Sequence, residues 1–445
     1  MYFGGEVGLL NSEALTKIQS IILIAVIVIV AVGGAVAYVL LSGEQQSSET
    51  IKIGVCADLD NFYGKSILQG AKLAAELVNA EGGVLGRNFE IVAEDDDSEG
   101  LDVGDPKFAS VAFGRLISVD GADFIISFTH GMMFREIAYE YEKILFTVAV
   151  IADELTQGVL DNYDKYKYCF RAGENNETTA VEGITIGLTT CRDYTGFNKI
   201  AFLYHKSGLA DTISSTIDNL EEQGFDVVLS EAVAFDTIDY SGYFARAEAA
   251  GAEILYPMIF GTAGIQFVKE YYDRQSPMVM WGLISQGART DFWEATEGKC
   301  EHIAIVGYPV VAGYPLTSKT VSTGDAYVER WGEEISGSAA VAFDTVRFIL
   351  PDAIERAGTV ETDAVIEALE TVDVETSLAR RFVFTSSHDI MLVWEGSSMS
   401  TEYSFMCLFQ WQDGVQVPVF PIEILEEAGA TFTFPDWSGP WDNIS

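Results

Sequence analysis

Short apolar segments alternate with helix-like segments from residue 51 onward, and this alternation is the feature that most constrains the fold. Each apolar segment is rich in Ile, Val, Leu or aromatic residues, as strands buried on both faces of a parallel sheet are. The segments are IKIGV at Ile51, FEIVAED at Phe89, DFIISF at Asp123, KIAFLY at Lys199, DVVLSE at Asp226 and EILYPMI at Glu253.

The intervening segments carry a helical pattern. In SILQGAKLAAELVNAEGG the residues Ile67, Ala71, Ala74 and Val78 repeat at helical spacing, and the glycines that follow at 82–83 allow a left-handed helix end. The pattern predicts an α/β fold of parallel sheets flanked by helices. A length of 445 residues exceeds the usual size of one hydrophobic core, so we expect two lobes.

The charge balance excludes one class of partner. The chain has 26 basic and 67 acidic residues and a formal net charge of -41. Such a charge repels phosphate backbones, so we expect no nucleic acid partner. The acidic residues by themselves indicate a well-hydrated surface suited to a saline or acidic exterior.

An uncharged apolar run occupies residues 21–41, IILIAVIVIVAVGGAVAYVLL. Its length matches a helix that crosses a hydrocarbon core of about 30 Å. We therefore predict an N-terminal flank at residues 1–20, a transmembrane anchor at 21–41 and a polar linker at 42–50. The nearest basic residues, Lys17 and Lys52, give almost no orientation by the positive-inside rule.

The apolar run is longer than the core of a cleaved secretory signal, which favours a retained anchor. The stretch EALTKIQ before it weakly resembles archaeal pilin-like signals, whose cleavage would fall between Ala14 and Leu15 and keep the helix on the mature protein.

Catalytic and metal-binding motifs are missing from the sequence. The five cysteines show no CxxC spacing, and neither a GxSxG elbow nor an HExxH helix occurs. The four histidines stand apart from one another. We therefore expect a protein that is not an enzyme and that needs no cofactor and no metal. Cys169 and Cys191 are the cysteines closest in sequence, but sequence distance does not establish a disulfide.

Several longer segments resemble one known family. IKIGV, then GAKLAAELVNAEGGVLGRNFEIVAEDD, is similar to the opening of the branched-chain amino acid (Leu/Ile/Val) binding proteins of ABC transporters, which have the type I periplasmic-binding fold. KILFTVAVIADELTQ, KIAFLYHKSG, AAVAFDTVRFILPDAIERAG and FQWQDGVQVPVFP continue the resemblance over residues 51–440.

The resemblance implies two Rossmann-like lobes joined by three crossovers, with a ligand clamped between them outside the cytoplasmic membrane. We expect the first lobe to comprise residues 51–172 and 303–378, and the second lobe residues 173–302 and 379–445.

The resemblance also implies ligand contacts in the first lobe. Thr129 matches the family's carboxylate-binding hydroxyl, and with His130 and Gly131 it would hold an anion at a helix N-terminus. The alternative is that Thr129 only caps that helix. Val150 and Ile151 stand where the family places a hydroxyl, so there we expect backbone contacts and an apolar wall.

The remaining implied contacts come from loops of both lobes. Ser207 or Leu209 stands where the family often has a tyrosine. Phe260 is expected to pack over an apolar ligand group or to fill the core. Ser285 lies in WGLISQG, the stretch in which the family has an acidic residue that is absent here. Asp58, or failing it Asp60, is then the best partner for a ligand ammonium group. Tyr63 and Phe62 are expected at the mouth of the site.

We therefore expect a membrane-anchored, extracytoplasmic solute-binding protein. It would deliver a small polar solute, an amino acid or a related amide or carboxylate, to the permease subunits of an ABC transporter. The first alternative is a sensory ectodomain that acts through a separate signalling partner. The second, suggested by the pilin-like N-terminus, is a surface assembly subunit.

Overall fold

The structure is a computed structural model that describes residues 50–97, 106–173, 176–206, 210–289, 291–307, 314–395 and 398–444. Within these ranges no helix is long and apolar enough to cross a membrane. The flank, the predicted transmembrane anchor at 21–41 and the linker up to residue 49 lie outside the described residues. The anchor therefore stays a prediction.

A five-stranded parallel sheet forms the first lobe. Its strands run in the order β2-β1-β3-β4-β5. They are β1 (Ile51–Ala57), β2 (Phe89–Asp95), β3 (Phe124–Ser127), β4 (Ile144–Thr147) and β5 (Cys169–Arg171). The helices between them are α1 (Phe62–Ala80), α2 (Pro106–Ser118), α3 (Gly131–Tyr141), α4 (Glu154–Asp161) and α5 (Tyr163–Tyr166). The alternation predicted for this part of the chain is confirmed.

A seven-stranded sheet forms the second lobe. Its order is β14-β13-β10-β9-β8-β6-β7. The first five strands in sequence are β6 (Lys199–His205), β7 (Asp226–Val233), β8 (Ile254–Ile259), β9 (Val279–Ile284) and β10 (Ala304–Gly307). They pair in parallel and are accompanied by α6 (Glu177–Thr195), α7 (Ala210–Glu222), α8 (Ser241–Ala249), α9 (Ala263–Asp273) and α10 (Phe292–Ala295).

The C-terminal part completes both lobes. Four helices follow β10, namely α11 (Thr320–Trp331), α12 (Gly337–Asp344), α13 (Leu350–Ala357) and α14 (Thr362–Leu369). A π-helical turn at Thr345–Ile349 joins α12 to α13, immediately before Pro351, which lacks the N–H that a regular helix needs there.

The last strands are antiparallel, which departs from the expectation of purely parallel sheets. They are β11 (Trp394–Glu395), β12 (Ser398–Met399), β13 (Cys407–Gln412) and β14 (Val415–Phe420), followed by α15 (Ile422–Ala428). Asp413 and Gly414, with φ of 51° and 84°, make the two-residue turn between β13 and β14. A right-handed twist favours such positive-φ turns in hairpins.

Two of the predicted lobe limits need correction. Strand β10, which the limit at 303 assigned to the first lobe, pairs with β9 and β13 of the second sheet. Phe382 and Phe384, which the limit at 378 assigned to the second lobe, are buried in the first core. By core membership the chain crosses between lobes after Ala172, between residues 316 and 327, and between residues 390 and 399.

All five cysteines are buried and free. Cys169 lies in β5 of the first lobe and Cys191 in α6 of the second lobe. The two residues closest in sequence are therefore not joined by a disulfide.

Helices α1 and α12 approach each other closely at Gly70. A Cβ added to Gly70 would lie 2.1 Å from the carbonyl oxygen of Ala339. The carbonyl oxygen belongs to the backbone of α12, and the Cβ would be fixed to the backbone of α1. The clash can therefore be relieved only if one of the packed helices shifts. Gly114 in α2 differs, because a Cβ there would meet nothing within 4 Å.

We predict that Gly70→Ala lowers the free energy of unfolding by about 1–3 kcal/mol or more through overpacking. The matched control Gly114→Ala should raise it by about 0.5–1 kcal/mol, since alanine is the better helix former. Urea denaturation of both variants checks the pair. Equal effects of the two substitutions would contradict the close approach of α1 and α12.

Candidate functional site

A cavity of about 440 Å³ lies between the two lobes. Residues that follow strands of the first sheet line one side, including Phe128 after β3 and Ala149 after β4. Residues at the ends of β8 and β9, including Met258 and Leu283, line the other side. This is the position where open α/β sheets bind ligands, beyond the carboxyl ends of their strands.

Four of the predicted ligand residues line the cavity: Tyr63, Ile151, Phe260 and Ser285. Five others do not belong to its lining, namely Asp58, Thr129, His130, Gly131 and Val150. Ser207 and Leu209 lie outside the described residues.

Tyr63 connects the two lobes across the cavity. Its hydroxyl donates a hydrogen bond of 3.0 Å to the carbonyl oxygen of Ser285, and its ring stacks on Phe128 with 5.1 Å between centroids. Beside it, the Arg289 guanidinium lies 4.3 Å from the ring centroid of Phe62. The two aromatic residues expected at the mouth of the site therefore contact the opposite lobe.

Phe260 and Ser285 each take part in a hydrogen bond between a backbone N–H group and a side chain. The N–H of Phe260 donates to Nδ1 of His205 at 3.1 Å, and the N–H of Gly261 donates to Oγ of Ser285 at 2.9 Å. Burial lowers the pKa of His205 to about 4, so the ring is neutral at pH 7 and accepts this bond. The loop after β8 is thereby fixed to the ends of β6 and β9.

The start of α3 packs against the loop after β4. A Cβ added to Gly131 would lie 2.8 Å from Cγ2 of Val150, so the Val150 side chain packs against Gly131 in the first turn of the helix. Thr129 is only 6% exposed, and its hydroxyl has no partner among the described residues. Thr129, His130 and Gly131 do not belong to the described lining of the cavity, and their expected role in holding an anion stays a prediction.

The capping alternative for Thr129 is not seen either. His130 is the N-cap residue of α3, at φ 57°, and it makes no side-chain capping bond. Its imidazole pKa is lowered by burial, against the opposing effect of Asp96.

The Asp58 carboxylate accepts hydrogen bonds from within its own loop. Its Oδ1 accepts the N–H groups of Asp60 at 3.0 Å and of Asn61 at 3.2 Å, an arrangement that shapes the turn into α1. Asp58 does not line the cavity, so the expectation that it receives a ligand ammonium group finds no support in the structure.

Asp344 is the single carboxylate among the described lining residues. It is 2% exposed, and its two oxygens accept the N–H groups of Ser377 and Leu378, each at 3.1 Å. Burial raises its pKa to about 6, in opposition to these hydrogen bonds. Asp344 therefore ties α12 to the segment at 376–379. No cluster of His, Cys, Asp or Glu among the described residues could hold a metal ion.

Sequence reasoning missed a buried ion pair beside the cavity. Arg171, at the end of β5, is fully buried and contacts Oδ1 of Asp389 at 2.6 Å. Its guanidinium also donates to the carbonyl oxygens of Val150 and Ala152. A buried arginine is rare without partners, and the arginine that ends the apolar strand CFR was the available signal.

Asp389 extends this pair into the second lobe. Its Oδ2 accepts from Thr156 at 2.9 Å and from the Asn176 amide at 3.1 Å. Asn176 in turn caps α6 by accepting the N–H of Thr179. We call Arg171, Asp389, Thr156 and Asn176 the Arg171 clasp. It joins the loop at 150–152, the segment just before the third crossover and the first helix of the second lobe.

We predict that Asp389→Asn lowers the free energy of unfolding by about 3–5 kcal/mol, because it leaves the Arg171 charge buried without a carboxylate. The double variant Arg171→Met with Asp389→Leu should be markedly more stable than Asp389→Asn, since no buried charge remains. Denaturant titration of the variants measures both effects.

Asp363→Asn is the control for the Arg171 clasp. It removes the carboxylate of an ion pair with Lys167 in which the Asp363 side chain is 73% exposed, and it should cost less than about 1 kcal/mol. A comparable loss in Asp389→Asn and Asp363→Asn would contradict the structural role of the clasp.

Two α/β lobes with a cavity between them define a ligand-binding protein of the two-lobed class. The sequence profile of the family described as "Periplasmic binding protein" matches residues 50–393. The chain belongs to this family.

Known relatives agree with this assignment. The "Leu/Ile/Val-binding protein homolog 7" of Brucella suis biovar 1 is 23% identical over 405 residues, which cover 86% of this chain and 94% of that protein. A crystal structure titled as a putative branched-chain amino acid ABC transporter from Silicibacter pomeroyi has a TM-score of 0.75 at 20% identity and covers 88% of this chain and 100% of that one.

A third comparison includes a bound ligand. The branched-chain amino acid transporter substrate binding protein LivJ from Streptococcus pneumoniae, in complex with isoleucine, has a TM-score of 0.67 at 18% identity and covers 83% of this chain and 98% of that one. At these identities the solved structures establish the fold.

Proposed function

We propose that this chain is an extracytoplasmic solute-binding protein that delivers a small solute, an amino acid or a related amide or carboxylate, to an ABC-type permease. The cavity lined by both lobes is the observation that carries the proposal. The descriptions of the relatives as Leu/Ile/Val-binding and as ABC transporter components support the same function. Nothing in the described residues favours the sensory or assembly alternatives.

The contacts around the cavity suit a clamp. The hydrogen bond from Tyr63 to Ser285 joins the lobes on one side, and the Arg171 clasp joins them at the crossovers. A ligand held between Ile151 of the first lobe and Phe260 of the second would contact both lobes at once. In this proposal Tyr63, Ile151, Phe260 and Ser285 are the ligand residues.

Ligand binding should slow hydrogen exchange on both sides of the cavity. With a bound ligand, hydrogen exchange should slow in the segment around Phe128 and, to a similar degree, in the segments around Phe260 and Ser285. Mass spectrometry should recover the ligand unaltered after prolonged incubation. Protection confined to one lobe, or conversion of the ligand to a product, would overturn the proposed function.

We propose further that residues 21–41 anchor the protein in the cell membrane, with the binding lobes on the extracytoplasmic side. The support is the uncharged run itself, which is long enough to span the hydrocarbon core.

The anchor predicts a difference between two forms of the protein. The full-length chain should sediment with membranes and resist alkaline extraction, whereas a form that begins at Ile51 should stay in solution. Immunoblots of the two fractions measure this. Full-length chain recovered from the culture medium would refute the retained anchor.

A further inference from the structure

The cavity has a chemical character that narrows the ligand class. Of the 28 lining residues that the structure describes, 21 carry no polar side-chain atom, and five of these are phenylalanines. The polar side chains are six hydroxyls and Asp344. Among the described residues, no lysine, arginine or histidine lines the cavity. A ligand body placed here is surrounded mainly by hydrocarbon.

A free amino acid carries an ammonium group, which needs a negative partner once it leaves water. Asp344 is a poor partner because it is 2% exposed and both of its oxygens already accept backbone N–H groups. Asp58 is occupied by its own turn and does not line the cavity. The described lining therefore offers no accessible carboxylate.

A carboxylate ligand needs a cation or a set of free N–H groups. The helix end that would supply them, at Gly131, packs against the side chain of Val150 and does not belong to the described lining. Thr129 beside it is buried and does not reach the cavity lining. A ligand carboxylate would thus be desolvated against apolar side chains.

An uncharged hydrogen-bonding group fits better. Ser285 Oγ accepts the N–H of Gly261, which leaves the proton of its own hydroxyl to donate. Ser285 lies in the lining beside Phe260. A ligand carbonyl or hydroxyl can accept that proton without a charge being buried.

We propose that the natural ligand is an uncharged molecule with a branched or aromatic hydrocarbon body and one amide, carbonyl or hydroxyl group, and not a zwitterionic amino acid. This inference rests on the proposed solute-binding function and deepens it. The apolar body would be desolvated between the phenylalanines, and its polar group would accept from Ser285.

The test uses two sets of probes, and the members of each set share one hydrocarbon body and differ in their charged groups. One set is phenylalanine, 3-phenylpropionate and 3-phenylpropionamide, and the other is leucine, 4-methylvalerate and 4-methylvaleramide. Calorimetric titration of the full-length chain in detergent micelles should show the amide as the tightest binder of at least one set. The amino acid should bind at least about 100-fold more weakly, since an unpaired buried charge costs two or more powers of ten in affinity.

Each other outcome overturns the inference. If an amino acid or a carboxylate binds best, the uncharged ligand class is wrong, but the proposed solute-binding function remains intact. Failure of all six probes to bind would also overturn the uncharged class. The proposed function itself fails on different readouts, namely protection of one lobe only or conversion of the ligand.

A gain-of-function variant tests why carboxylates are excluded. Val150→Ser removes the methyl groups that pack against Gly131. In this variant the carboxylate probes should gain about tenfold in affinity relative to their amides, because the N-terminus of α3 becomes accessible. The control Val111→Ser alters an exposed valine of α2 and should leave the ratio unchanged. An unchanged ratio in Val150→Ser, in a variant that melts like the wild type, would overturn the role assigned to Val150.

Discussion

The buried guanidinium of Arg171 is the constraint on which the arrangement of the cleft depends. A charge with no exposed surface must be matched by fixed partners, and here the partners come from separate parts of the chain. Asp389 reaches it from the segment just before the third crossover, and Val150 and Ala152 supply carbonyl oxygens from the loop after β4. Because each of these groups would be left unsatisfied by a shift of the others, the loop and the crossover hold a common position.

That common position determines what the cavity can recognise. With the carbonyl oxygens of Val150 and Ala152 directed to Arg171, the Val150 side chain packs on the first turn of α3 and Ile151 lines the cavity. A hydroxyl at Val150 would have been small and polar enough to share an anion with the helix end. The valine instead packs against Gly131, and the apolar Ile151 beside it lines the cavity.

Sequence reasoning succeeded where local pattern decides the structure. The strands from Ile51 to Glu253 follow from apolar runs that are buried on both faces, and Tyr63 follows from its place after the first strand. It failed where the outcome depends on distant partners. The pairing of β10 with β13 spans about a hundred residues, and nothing local in AIVG indicates which sheet receives it.

The residues expected to bind the charged groups of a ligand are placed away from the lining for a related reason. Asp58 lies in the loop after the first strand, as predicted. The direction of its carboxylate, however, is set by the N–H groups of Asp60 and Asn61. Thr129 is buried, and its neighbour Gly131 packs against Val150, which lies further along the chain. Spacing identifies the strand end at which a side chain stands, whereas packing decides whether it faces the cavity.

The surface of the protein is strongly acidic, whereas the cavity is lined mainly by apolar side chains. A net charge of -41 keeps the surface hydrated, and it also sets up a field that opposes the approach of any anion. A carboxylate ligand would meet that repulsion outside and an uncompensated desolvation cost inside. An ammonium group would be attracted to the surface but would find no accessible carboxylate among the described lining residues. An uncharged ligand meets neither barrier, because its approach is independent of the field and its hydrocarbon body gains free energy on leaving water. For the proposed uncharged ligand, the acidity of the chain and the apolar lining of its cleft would therefore act in the same direction by separate mechanisms.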